Sequence, residues 1–162
     1  MRLRNASVAN PPSSTDTRGQ GCHLIRTTEQ LITAETVKWT AETYDDLGFH
    51  DNATNTDRIT IPANVSRVLL SGACNFGDDE VAAGTVDRNY MEKNGTSFSP
   101  QINDWQVDVG SDVGVHEPTY NFNQVLDVVA GDYFTCVCIT SLIAGKFLDV
   151  DRSYFSCIVI RN

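Results

Sequence analysis

Apolar and polar residues alternate along most of this chain with a period of two, and no stretch carries the 3.6-residue period of an amphipathic helix. The strongest run covers residues 65–76. Val68, Leu70, Gly72, Cys74 and Phe76 share one face there, and Arg67, Leu69, Ser71, Ala73 and Asn75 share the other. The mostly apolar first set is expected to face a core. Residues 119–128 alternate as cleanly, with Tyr120, Phe122, Leu126 and Val128 (Gln124 among them) opposed to Asn121, Asn123 and Asp127. Residues 133–141 are apolar on both sides, the mark of a strand buried on both faces. Shorter strands are predicted at 23–28, with Leu24 and Arg26 opposed to Ile25, and at 31–32, 36–39, 42–44, 58–61, 86–93 and 154–160.

Turn chemistry separates these runs. In the segment GFHDNATNTDRITIP (48–62), the polar cluster Asp51, Asn52, Asn55 and Asp57 leads into Arg58-Ile59-Thr60-Ile61, and Pro62, which has no N–H to give to a ladder, stops that strand. Asn94-Gly95 is a strong hairpin signal, and Ala130-Gly131-Asp132 predicts a tight turn. Eight to ten short strands without a helix predict an all-β fold, an antiparallel two-sheet sandwich or jelly roll. Residues 1–21, rich in Ser, Thr, Asn, Pro and Gly, predict an extended N-terminal arm ahead of a folded domain at 22–162.

Composition adds limits. A chain of 162 residues with 41% hydrophobic content can bury a core without metal or disulfides. A formal charge of −9 argues against a general nucleic-acid binder, which needs a basic stripe for phosphates, and is read as a device for solubility. No apolar run is long enough to span a bilayer and no signal sequence opens the chain, so a soluble protein with no membrane partner is expected. Arg2, Arg4 and Arg18 face only Asp16 in the first twenty residues, giving a basic arm on an acidic body that either docks on an acidic partner or is solvated. The five cysteines, Cys22, Cys74, Cys136, Cys138 and Cys157, lack metal-site spacing and are read as small buried hydrophobes in a reducing compartment.

Candidate chemistry is sparse. Gly110-Ser111-Asp112-Val113-Gly114 is not a nucleophile elbow, and His23, His50 and His116 are scattered, with His50 read as a turn residue. The acidic clusters at Asp45-Asp46, Asp78-Asp79-Glu80 and Asp149/Asp151 do not follow calcium-loop spacing and are read as solvated turns. Four N-x-S/T sequons, at Asn5, Asn52, Asn64 and Asn94, are close to chance in a chain rich in Asn and Thr. No catalytic residue, metal or cofactor is therefore expected. Trp105, in the loop-rich stretch 97–117, is either a plug over one end of the sandwich or a contact residue.

The segment 48–62, the run V-x-x-V-L-L-S-G at 65–72, Lys93-Asn94-Gly95, Val129-Ala130-Gly131-Asp132-Tyr133-Phe134 and Phe155-Ser156, in this order and spacing, resemble the tumour necrosis factor-like jelly roll of the complement globular-head superfamily, in the versions that tailed bacteriophages encode. Cys22-His23-Leu24-Ile25-Arg26 and residues 39–46 extend the resemblance over most of 22–160. It implies a ten-strand jelly roll assembling as a homotrimer, with an aromatic-bearing sheet face at the three-fold axis. Tyr120, Phe122, Tyr154 and Ile158 are the candidates for that axis, with ordinary core as the alternative for each. This chain has only a short arm where vertebrate members usually carry a collagen-like or anchoring segment.

The expected function is non-enzymatic: a trimeric decoration (cement) protein on the capsid surface of a tailed phage, made in the host cytoplasm. Its partners are then itself and the major capsid protein, with Arg2, Arg4 and Arg18 anchoring the arm across neighbouring capsid subunits. The second reading is a receptor-binding tip of a tail fibre or head spike that recognises a host glycan or protein. A glycan-cleaving enzyme ranks third, since no carboxylate pair stands out.

Overall fold

The structure is a computed structural model, describing residues 17–76, 80–81, 86–97, 107–108, 114–115, 119–141, 146–150 and 152–161. Strands in chain order are β1 (Gly21–Ile25), β2 (Gln30–Ile32), β3 (Ala34–Thr36), β4 (Ala41–Asp45), β5 (Arg58–Thr60), β6 (Arg67–Asn75), β7 (Glu80–Val81) and β8 (Val86–Lys93). They continue with β9 (Thr96–Ser97), β10 (Val107–Asp108), β11 (Gly114–Val115), β12 (Thr119–Asp127), β13 (Tyr133–Thr140), β14 (Lys146–Leu148) and β15 (Tyr154–Arg161). One sheet runs β12-β6-β15-β1-β4; the other runs β10-β8-β13-β3, with β5 added on β13 and β9 on β8. All pairings are antiparallel, and β7–β11 and β2–β14 form two small ribbons. This is the expected all-β two-sheet sandwich.

The core lies between the sheets, where the inward parity of each strand meets. β6 contributes Val68, Leu70 and Cys74, β15 contributes Phe155, Cys157 and Val159, and β13 contributes Phe134, Cys136 and Cys138, all buried. Trp39, Phe155 and Phe122 run as an aromatic chain through it, each neighbouring pair of rings 5.8 Å apart. Gly72 exists for this packing: a Cβ there would stand 2.2 Å from the Phe122 ring. The five cysteines are free and buried, as expected. They form two groups, Cys22 opposite Cys157 in register and Cys74 hydrogen-bonded with Cys136 and Cys138 across the sheets. Burial pushes the Cys157 thiol up to about 12, so it stays protonated and unreactive.

Strand limits depart from expectation in two places. Of the strand expected at 36–39 only Thr36 belongs to one, at the end of β3; Val37 and Trp39 still donate their N–H groups to the Cys136 and Thr56 carbonyls, and burial of these two side chains, not a ladder, gave the alternation its look. At the start, Gly19 and Gln20 hydrogen-bond to Val159 and Gly21 pairs with Ile158, so the body begins before Cys22 and takes in the end of the expected arm.

Three of the segments that carry the resemblance meet at one end of the six-stranded sheet. Asn94 and Gly95 both take positive φ (55° and 73°), as the tight β8–β9 hairpin requires. Asp132, buried, accepts from Asn94 Nδ2 at 2.9 Å and from the Val129 N–H at 3.0 Å, and pairs with Lys93 Nζ at 2.7 Å. Burial alone would raise the Asp132 carboxyl, but these partners together outweigh it and hold it below the usual carboxylate value. The Ile61 N–H reaches the Asp132 carbonyl at 2.7 Å, tying in the third segment. Just ahead of that segment, the Asp45 carboxylate accepts three of its N–H groups, from Gly48, Phe49 and His50, each at 2.9 Å. His50 Nδ1 lies 2.7 Å from the Arg58 carbonyl, which makes it the turn residue expected.

Candidate oligomer face

The five-stranded sheet turns one face to the core and the other outward. Register across its strands resolves that outer face into rows. The middle row reads Asn123–Ser71–Ser156–His23–Tyr44 across β12, β6, β15, β1 and β4. On one side lies Val125–Leu69–Ile158–Gly21; on the other lies Asn121–Ala73–Tyr154–Ile25–Ala41. Val125 is 45% exposed, Tyr44 42% and Ile158 37%, while the small Ala73 and Ser156 are buried between larger neighbours. None of these residues carries a formal charge at neutral pH apart from the titratable His23. Among the described residues an ion pair, Arg67–Asp127 at 3.6 Å, stands one row further along, with Arg161 in register beside Arg67.

His23 is the centre of this surface. Its Nδ1 lies 2.5 Å from Ser156 Oγ, and its ring stacks on Tyr154 (5.3 Å between centroids, 27°) and on Tyr44 (6.2 Å, 17°). Burial lowers the proton affinity of the imidazole below its ordinary value. Burial, then the nearby Cys22 thiol and Asp46 carboxylate, raises that of the Tyr44 phenol. The face is an amphipathic plate whose centre carries no formal charge while His23 is neutral, with the exposed Asp46 at its β4 edge beside Gly21.

Two of the four axis candidates lie on this plate. Tyr154 is half-buried and Ile158 exposed, both on the outer parity of β15. Phe122 is a correction: it is 2% exposed and packs edge-on against Phe155 inside the sandwich, so the alternative of ordinary core holds for it. Tyr120 pairs in register with Cys74, and its side chain lies outside the described residues. Arg2, Arg4, His116 and Trp105 also lie outside them. Arg18 is exposed in the turn that precedes β1. His23, Tyr44, Leu69 and Val125 were not singled out as surface residues. Parity within one strand was visible, but the pairing of β1 with β4 that brings His23 and Tyr44 together was not. Among the described residues no group of His, Cys, Asp and Glu is arranged to hold a metal ion.

No family model matches the chain, and no curated protein sequence matches it. Solved structures share the fold. The globular domain of zebrafish complement 1qA protein is similar with a TM-score of 0.59 at 10% identity, over 88% of this chain and 99% of that one. Murine APRIL, solved at pH 8.5, gives a TM-score of 0.58 at 13% identity, over 86% of this chain and 97% of that one. The fold is that of the complement 1q and tumour necrosis factor globular domains. At such identities the likeness lies in the arrangement of strands.

Proposed function

We propose that the chain is a non-enzymatic structural virion protein, assembling as a homotrimer through the outer face of its five-stranded sheet and decorating the capsid shell of a tailed phage. The carrying observation is the plate whose centre, at His23, Tyr44, Tyr154 and Ile158, carries no formal charge while His23 is neutral, in a chain of formal charge −9. Copies this acidic repel one another, so self-association needs a surface free of like charge, half-apolar, and rigid enough to spend little entropy on contact. A plate built of sheet rather than loop meets all three needs. The trimer implied by the resemblance fits three-fold and quasi-three-fold positions of an icosahedral shell by symmetry. In this reading Arg2, Arg4 and Arg18 supply the positive charge for an acidic patch of the major capsid protein.

The test is co-sedimentation of purified full-length protein with undecorated capsids, wild type against the double variant Arg2→Glu, Arg4→Glu. Decoration by wild type and its loss in the variant, with both proteins trimeric, support the reading. A trimer that ignores capsids and adheres to host cells makes it a receptor-binding tip instead.

A further inference from the structure

Once a second copy lies over the plate, His23 has nowhere to put an additional proton. The groups that face it from each packed element are few. β15 offers the Tyr154 phenol and the Ser156 hydroxyl, the latter already at 2.5 Å from Nδ1. β4 offers the Tyr44 ring, and its carboxylates are engaged elsewhere: Glu42 accepts from Asn52 at 2.8 Å, Asp45 from three backbone N–H groups, and Asp46, just past the strand, from the Gly21 N–H at 3.0 Å. From β6 and β12, further along the same row, come Ser71 and Asn123, and on these two strands Arg67 and Asp127 are already joined as an ion pair. Cys22 and Cys157 belong to the interior parity of their strands. Among the described residues, then, no carboxylate contacts the ring. An imidazolium on this face has the Ser156 hydroxyl at Nδ1 and the Tyr44 and Tyr154 rings beside it but no counter-charge in contact, so its charge relies on water that an approaching copy removes.

We propose that His23 makes the assembly acid-labile: copies associate while its imidazole is neutral and separate when it takes up a proton. This rests on the plate being the oligomer face. The single chain already disfavours the protonated ring through burial, and association buries it further. Linkage fixes the sign. A proton bound by the free chain and excluded from the assembly weakens association as pH falls below the free-chain value, itself below the ordinary 6.5. The slope is about tenfold in the association constant per pH unit for each imidazole, so up to roughly a thousandfold for three.

The experiment is analytical ultracentrifugation of the full chain at about pH 8 and about pH 5.5, as wild type, His23→Gln and His50→Gln. Wild type and His50→Gln are expected to be trimeric at the higher pH and to dissociate at the lower, with His23→Gln unchanged in mass between the two. A wild type that stays trimeric at both values, or a His23→Gln variant that dissociates as wild type does, overturns the inference and leaves the oligomer face standing. A wild-type monomer at the higher pH overturns the face itself, and the inference with it. A readout free of substitution is the imidazole proton resonance of His23 in wild type. Its titration midpoint should fall as protein concentration rises, and a midpoint independent of concentration counts against the proposal.

Discussion

The two sheets of this sandwich present outer faces built on the same backbone plan and very different in charge. The middle row of the five-stranded sheet reads Asn123–Ser71–Ser156–His23–Tyr44. A corresponding row on the six-stranded sheet reads Arg58–Thr135–Glu92–Ser97. Arg58 lies 4.5 Å over the Tyr133 ring and 3.2 Å from Asp57, and Glu92 accepts from Thr135 Oγ1 at 3.4 Å. Charges of this kind keep their water and cost free energy to cover. Side-chain chemistry thus distinguishes the two faces for an approaching copy of the same acidic chain.

The largest effect is expected from breaking the plate itself. Ile158→Asp sets a carboxylate in the row beside His23, and in a trimer three such charges are brought together. Association should weaken by at least about a hundredfold, roughly 3 kcal/mol, in sedimentation experiments, while Glu92→Gln on the opposite face leaves the mass unchanged. Next comes Gly72→Ala, which strikes the interior shared by both faces. Its Cβ would meet Phe122 at 2.2 Å and the Tyr154 carbonyl at 2.9 Å. Denaturant unfolding should show a loss of about 1–3 kcal/mol from overpacking.

A smaller effect, confined to the six-stranded sheet, is expected from Asp132→Asn. It removes the partner of Lys93 and weakens the brace between the two turns, at about 2 kcal/mol by the scale of hydrogen bonds to charged groups, without changing the mass of the folded assembly. The pH dependence has a definite sign. The folded-state carboxyl is held below its ordinary 3.8, so its contribution is complete above that value and is lost as pH falls through the lower folded value. Acid unfolding of the variant should lack that component, whereas the His23 effect on association sets in at higher pH.

Much of the fold was legible because a two-residue period needs only neighbouring positions to be read. Residues 65–76 divided into core and outer sets as β6 does from Arg67 to Gly72, beyond which both sets are buried, and the Asn94-Gly95 pair announced the β8–β9 hairpin. Phe122 shows where such reading stops. Alternation says which residues share a face, but which face meets the other sheet depends on a partner strand about fifty positions away, where Gly72 leaves room for the ring. Residues 37–40 mislead for a related reason, since loop residues laid over a core bury alternate side chains without joining a ladder. The plate was half visible: Tyr154 and Ile158 could be read from β15 alone. His23 and Tyr44 become neighbours only through register between β1 and β4, with a bulge between His23 and Leu24 that no local pattern announces.

The most direct test is native mass spectrometry of the full-length wild-type chain beside Ile158→Asp at about neutral pH. A wild type of three chains and a variant of one are what an oligomer face on the five-stranded sheet predicts. A wild type of one chain, or a variant that remains three, contradicts it.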